Sequence, residues 1–306
     1  MNIEEFQGIE ITRLQGDSSR ISHCSILPDG RLLCSHDNGI IETWNLDCLC
    51  KESKFDIGEY LTGYYLKEHN ICQLNNGIIA TSLNSLKNSI KLWDTKSGEN
   101  IGVLEGYYIE SKRGNEPSLC SLIDGTLSCV SNDIIAIWDY EKRECKQTYK
   151  KHTDYIHGTG PVTGSVQLND GRLVIYGHNL SITDIESDCH LKIMNDKIYS
   201  HSQTWFTKAF QIQNGVLVTN EYQGGIKLWD LDKYEYFYTF DTKSFDIYNF
   251  DNNKIILYKG DIFKVFDIET RKYEKIVEVG SQIRSVCNLD NMVISGMNDG
   301  SIRFFN

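Results

Sequence analysis

What the chain lacks narrows it first. Of its 306 residues only 3 are proline, and charged residues make up 24%, so neither a proline-rich linker nor a highly charged disordered tail is expected. Every apolar run is broken by a polar residue, which removes a membrane-spanning helix. Cations are in deficit, 31 Lys and Arg against 42 Asp and Glu for a formal net charge of -11. General nucleic-acid binding and docking on an anionic membrane both need cationic surface, so neither is expected. The start, Met1-Asn2-Ile3-Glu4-Glu5-Phe6, has no cationic or apolar leader, and no myristoylation or prenylation box occurs. A cytoplasmic, reducing compartment is the expectation, with a nuclear or host-delivered protein compatible. Alanine is confined to Ala80, Ala136 and Ala209, while Ile, Asn, Lys and Tyr abound, a usage that suits an AT-rich genome such as that of a protist or an intracellular bacterium.

The 10 cysteines contain no C-x-x-C pair. Cys24, Cys34, Cys72, Cys120, Cys129 and Cys287 sit singly in short β-like runs, where a free thiol acts as a small buried hydrophobe. Cys48 and Cys50 are the closest couple, a weak signal for a metal.

What is present is a repeat. A turn of the form Leu-x-(Asp/Asn)-Gly recurs at Leu27-Pro28-Asp29-Gly30, Leu74-Asn75-Asn76-Gly77, Leu122-Ile123-Asp124-Gly125 and Leu168-Asn169-Asp170-Gly171, with Ile212-Gln213-Asn214-Gly215 as a fifth copy. Phe250 to Asn253 and Leu289 to Asn291 are eroded versions. Asp-Gly and Asn-Gly supply the positive φ that tight hairpins need. After each turn comes a β-branched run, a second turn, and an alternating strand that ends at Trp44-Asn45, Trp93-Asp94, Trp138-Asp139, Thr183-Asp184, Trp229-Asp230, Phe266-Asp267 or Phe305-Asn306. Successive ends are 49, 45, 45, 46, 37 and 39 residues apart. Seven copies of a strand-turn-strand-turn-strand unit, most followed by a further short strand, predict seven four-stranded antiparallel blades.

At Ser89-Ile90-Lys91-Leu92-Trp93-Asp94, Ile134-Ile135-Ala136-Ile137-Trp138-Asp139 and Gly225-Ile226-Lys227-Leu228-Trp229-Asp230 the chain resembles the WD40 repeat family. The resemblance extends over about residues 7 to 306 and implies an all-β, seven-bladed β-propeller forming one domain over 1–306. Blades are expected at about 20–56, 66–105, 117–150, 161–195, 205–241, 245–278 and 282–306. The last copy stops after three strands, and residues 7–14 form an alternating strand with no blade of their own. That strand is expected to complete blade seven, leaving no open sheet edge there.

The resemblance also implies a hydrogen-bonded His, Ser/Thr, Asp and Trp relay in each blade. The Asp position holds Asn38, Lys87, Asn132, Gly177, Gln223, Gly260 and Asp299. Only one acid survives, so sheet packing is expected to carry the stability. His152 is the one loop His that resembles the family's Gly-His signal.

Enzymatic readings are thin. Ser35-His36-Asp37-Asn38-Gly39 followed by Thr43-Trp44 approaches a sialidase box with spacing two residues too long, and is better read as a turn between strands. No nucleophile elbow, zincin motif or P-loop occurs. His152, Asp154 and His157 could formally hold a cation, as could Asp188-Cys189-His190 more weakly. Lys112-Arg113-Gly114 faintly resembles a phosphoinositide element. None is expected to function so: no catalytic residue, metal or cofactor is expected.

Binding is where the sequence leans. Segments leading into each blade's first strand carry Tyr65, Tyr108, Tyr155, Trp205 and Phe245, and Trp205 is the only Trp outside the blade register. Rigid aromatics in loops suit hot spots. Arg20 and Arg284, beside the first strands of blades one and seven, could anchor an acidic group. Glu59, Glu68, Glu105, Glu110, Glu116, Asp154 and Asp241 lie in the same segments and favour a partner with a basic stretch. The expectation is a non-enzymatic, monomeric scaffold or adaptor that binds a protein or peptide, without nucleic acid or membrane. The alternatives are a propeller enzyme with a degenerate channel-mouth site and a structural subunit of a larger complex.

Overall fold

The computed structural model describes residues 6–58, 71–82, 89–105, 117–131, 134–150, 162–185, 192–194, 205–212, 215–222, 224–240, 245–251 and 253–306. It is all-β. Strand β1 (Glu10–Gln15) comes first, and blade one follows with β2 (Ile21–Ile26), β3 (Leu32–His36), β4 (Ile40–Asn45) and β5 (Cys50–Asp56). Blade two holds β6 (Ile71–Gln73), β7 (Ile78–Ser82), β8 (Ile90–Asp94) and β9 (Asn100–Leu104). Blade three holds β10 (Ser118–Ser121), β11 (Leu127–Val130), β12 (Ile134–Asp139) and β13 (Glu144–Lys150). Blade four holds β14 (Val162–Gln167), β15 (Leu173–Gly177), β16 (Leu180–Thr183) and β17 (Lys192–Ile193). Blade five holds β18 (Trp205–Ile212), β19 (Val216–Tyr222), β20 (Gly225–Asp230) and β21 (Glu235–Phe240). Blade six holds β22 (Asp246–Asn249), β23 (Lys254–Lys259), β24 (Ile262–Asp267) and β25 (Lys272–Glu278). Blade seven holds β26 (Ile283–Leu289), β27 (Met292–Met297) and β28 (Ser301–Phe305).

Each blade is an antiparallel sheet in sequence order, and β1 pairs with β28 to give blade seven its fourth strand. The fold class is therefore that of a seven-bladed β-propeller, completed as the N-terminal pattern predicts. Among the described residues no helix is long and apolar enough to cross a membrane.

The chain forms two compact units. One comprises residues 1–68, 94–99 and 245–306; the other comprises 69–93 and 100–244. In the first, Ile21, Cys24, Leu32, Cys34, Trp44, Cys287, Ile294, Ile302 and Phe304 pack one core cluster. In the second, Leu168, Val174, Tyr176, Phe206, Leu217 and Trp229 belong to another. Each buried methylene contributes about 0.8 kcal/mol, so these sheet faces carry most of the stability.

The repeated turn residues have local causes. Leu27, Leu74, Leu122 and Leu168 are buried. The amides of Gly30, Gly125 and Gly171 donate back to the carbonyls of Leu27, Leu122 and Leu168 at 2.9, 2.9 and 3.0 Å. Those glycines have φ near 86°, 81° and 91°, the region that disfavours a side chain. The acid after each aromatic caps the next turn. Asp94 Oδ1 accepts the amides of Lys96 and Ser97 at 2.8 and 2.9 Å, and Asp230 Oδ1 those of Asp232 and Lys233 at 3.0 Å each. Asp139, Asp267 and Asn45 do likewise. These turns place Leu49, Gly98, Arg143, Tyr234 and Arg271 at positive φ. The pairing of third and fourth strands shifts register just before Trp44, Trp93, Trp138, Trp229 and Phe266, a bulge that re-aims the ring.

The relay survives in part. Trp93 Nε1 donates to Thr81 Oγ1 at 3.0 Å and Trp229 Nε1 to Thr219 Oγ1 at 2.8 Å. The retained acid, Asp299, instead accepts from the Ser301 amide and hydroxyl at 3.0 and 2.6 Å. Phe305 is buried among Val286, Val293 and Phe263. Asp184 is exposed beyond Thr183, which stands in the ring's register with its hydroxyl buried and, among the described residues, without a hydrogen-bond partner.

Candidate functional site

The antiparallel meander brings the start of each first strand, the end of the second and the start of the third to one end of a blade. At that end, in blades one, four, five and seven, the pairing of first and second strands carries a bulge near the start of the first strand, between Ile21 and His23, Val162 and Gly164, Phe206 and Lys208, and Ile283 and Ser285. The residue after the second strand then stands at the rim.

In the second unit this rim is aromatic. Trp205 opens β18 opposite Tyr222, which ends β19 and is 58% exposed. The ring of His178, in the turn after β15, meets the Trp205 ring edge-on at 6.0 Å. Trp205 is half-buried, whereas Phe206 is core. In the first unit the rim is polar. Arg20 is exposed, and its carbonyl accepts the Asp37 amide at 2.9 Å. Arg284 Nη2 lies 3.9 Å from Asp37 Oδ2. Phe245 is half-buried, with the ammonium of Lys264 at 5.1 Å and that of Lys259 at 5.9 Å from its ring centre.

Tyr65, Tyr108 and Tyr155 lie outside the described residues, as do His152, Asp154, His157, Lys112, Arg113 and His190. The structure thus brings Trp205 together with His178 and Tyr222, and Arg284 with Asp37. His178, Tyr222 and Asp37 had no signal in their own residue types. Their signal is register: His178 and Asp37 directly follow the second-strand residue paired to the first strand's opening position, and Tyr222 is itself that paired residue, opposite Trp205.

The Ser35 to Gly39 stretch is the end of β3 and its turn, as expected, but His36 and Glu42 within and beside it form a buried charged cluster. His36 Nε2 is 3.2 Å from Glu42 Oε2, and its Nδ1 is 3.1 Å from the Ser19 carbonyl. Lys51 donates to Glu42 Oε1 at 2.5 Å, and the Asp17 amide reaches Glu42 Oε2 at 3.2 Å. Burial alone would raise the Glu42 carboxyl; the hydrogen bonds from His36 and Lys51 outweigh it and hold it below its usual range. The Lys54 hydrogen bond takes Asp17 down to about 2. Every oxygen of Glu42 is committed to the fold, which is a structural arrangement.

Cys48 and Cys50, read from the sequence as a weak metal signal, are joined by a disulfide across the β4–β5 turn. Among the described residues no group of three or more His, Cys, Asp or Glu side chains is placed to hold a metal ion. Burial pushes the Cys129 thiol up to about 12 and the Cys120 thiol up to about 11, so these are inert packing groups.

No family profile matches the chain, and no curated protein matches it by sequence.

Proposed function

We propose that the chain is a divergent propeller of the WD40 type that works as a non-enzymatic platform, holding a peptide or domain of a partner protein at the leading ends of the blades in its second unit. The aromatic-acid register and the two Trp–Thr bonds support the family reading. The observation that carries the function is the cluster of Trp205, His178 and Tyr222. The blade's packing is completed by Phe206 and Trp229. Tyr222, with more than half its surface in water, contributes little to the core. Two aromatic side chains on rigid strands offer contact area at small entropic cost, because the strands have already ordered them. The acidic residues that the sequence places in the segments leading into the first strands support a partner with a basic stretch.

The test is affinity capture with mass spectrometry, comparing the intact protein with a Trp205→Ala, Tyr222→Ala variant that melts at the same temperature. Loss of a defined partner is the expected result. A second reading, a subunit joined through blade edges, draws on the exposed Ile9 just before β1, Ile11 on it, and Tyr273 and Ile276 on β25. A partner kept by the rim variant and lost on Ile11→Ser, Ile276→Ser would replace the rim with that edge.

A further inference from the structure

Four blades build the same bulge, and three of them close it in the same way. The Ser22 hydroxyl donates to the Ser35 carbonyl at 3.1 Å, Thr163 to the Tyr176 carbonyl at 3.2 Å and Thr207 to the Asn220 carbonyl at 3.3 Å. The reason is general: a bulge withdraws one ladder bond, and a short hydroxyl at the bulged residue restores it. By register, the fourth bulge places Arg284 where those hydroxyls stand, with the Gly296 carbonyl as its counterpart. A long guanidinium there closes nothing. It reaches instead toward Asp37 of the neighbouring blade, at 3.9 Å, too long for a hydrogen bond. The inner atoms of both groups, Arg284 Nε and Asp37 Oδ1, are buried with no hydrogen-bond partner among the described residues. An orphaned donor and an orphaned acceptor therefore lie together at the rim, with 16% and 21% of their side chains still open to solvent.

We propose that Arg284 and Asp37 form a recognition site for a carboxamide, supplied by an Asn or Gln side chain of a partner segment. The inference rests on the platform reading and places a second contact at the leading ends of the first unit's blades. A carboxamide presents one acceptor and two donors on a small planar neutral group. It accepts from the guanidinium and donates to the carboxylate at once. The charges of the pair already cancel, so the occupant carries none: an incoming Asp or Glu is repelled by Asp37, and an incoming Lys or Arg by Arg284. Arg20, whose carbonyl holds the Asp37 amide, positions the acid without contributing to the selection.

The decisive variant is Arg284→Ser, which supplies the hydroxyl that Ser22, Thr163 and Thr207 supply elsewhere. The probe is a peptide library with one fixed position, either Asn, Gln, Asp, Glu, Lys, Arg or Ala, in random flanks, bound to the full chain. The expected result is about tenfold enrichment of the Asn and Gln pools over the others, the yield of one to two added hydrogen bonds. That preference vanishes in Arg284→Ser, whose melting temperature stays equal or rises. Preference for the acidic pools, preference for the basic pools, a flat profile, or an Asn/Gln preference that persists in Arg284→Ser each overturns the proposal. So does a fall in that variant's melting temperature, which would make Arg284 structural. If peptides of every pool bind alike and lose affinity together in the Trp205→Ala, Tyr222→Ala variant, the platform reading stands while the carboxamide site fails. If that variant binds all pools as the intact protein does, the platform reading itself is wrong.

Discussion

His36 and Glu42 face each other across the β3–β4 hairpin with their side chains wholly buried, Nε2 to Oε2 at 3.2 Å. Glu42 also takes a hydrogen bond from Lys51 on β5 and one from the Asp17 amide in the segment after β1. One carboxylate therefore ties three strands of blade one to the strand that completes blade seven. Glu42→Ala leaves the imidazole and the Asp17 amide without their acceptor in a site closed to water. Lys51, about a third exposed, can turn to solvent. The expected loss is about 2–3 kcal/mol, read from urea unfolding at neutral pH, and a loss under about 0.5 kcal/mol would show the cluster to be incidental.

Acid should undo the same corner. Asp17 is held down to about 2, chiefly by the Lys54 hydrogen bond at 2.6 Å, and Glu42 is held below its usual value despite burial. Both carboxyls bind protons more tightly in the unfolded chain, where carboxylates titrate near pH 4. Their contribution is whole above about pH 5 and is lost as pH falls toward 2. Stability measured stepwise from pH 6 to pH 2 should fall more steeply for the intact protein than for Asp17→Asn, and the two curves should converge at the acid end. Parallel curves would remove Asp17 from the account.

The Trp–Thr bonds make a prediction with an internal control. Thr219→Val leaves Trp229 Nε1, in a residue only 1% exposed, without its acceptor. The cost should be about 1–2 kcal/mol. Trp44 occupies the same register, but its Nε1 is buried with no partner among the described residues. Trp44→Phe should therefore cost less than Trp229→Phe, since it removes an unsatisfied donor along with the ring volume. Equal losses would mean that ring packing alone sets the cost.

These contrasts mark what the sequence could show. The Leu-x-Asp-Gly turns and the Trp-Asp ends were readable because each is a local device: a buried Leu, a glycine at positive φ, an acid capping amides two and three residues ahead. The completing strand was readable by counting. The Glu42 cluster was not, because it joins residues from Asp17 to Lys54 that meet only after three strands have paired. Arg284 was visible as a cation beside a first strand, but its meaning depends on a bulge, and bulges leave no composition signal. Trp205 stood out by its register, while His178 and Tyr222 looked ordinary until the strands aligned them.

Completion of blade seven can be tested directly. β1 covers β28 with its full length, from Glu10 opposite Phe305 to Gln15 opposite Ser301. The turn before β28 is locked to the segment after β1: a Cβ on Gly300 would sit 2.1 Å from the Asp17 carbonyl oxygen, and its φ is 78°. Removal of residues 1–15 should expose the β28 edge and produce a lower melting temperature with aggregation. Gly300→Ala should destabilise by more than about 2 kcal/mol, since both the conformation and the close backbone contact oppose it. Unchanged melting of either variant would show that blade seven does not depend on the N-terminal strand.

The Cys48–Cys50 bridge should contribute little. It spans the residue Leu49, whose φ of 53° matches Gly98, Arg143, Tyr234 and Arg271 in the corresponding turns of four other blades. Those turns form without a disulfide, held by the acid that caps them, and Asn45 caps this one through the amides of Asp47 and Cys48 at 2.9 and 3.2 Å. A loop of three residues also removes little freedom from the unfolded chain, because the entropy gained by cross-linking grows with loop length. Cys48→Ser, Cys50→Ser is therefore expected to shift the melting temperature by less than about 3 °C, under roughly 1 kcal/mol for a chain of this size. The same small shift is expected on adding a reductant to the intact protein. A larger fall in both measurements would mean that the turn depends on the bridge and that the Asn45 cap is too weak to hold it, a result that Asn45→Asp, restoring the acid used in the other blades, should then reverse.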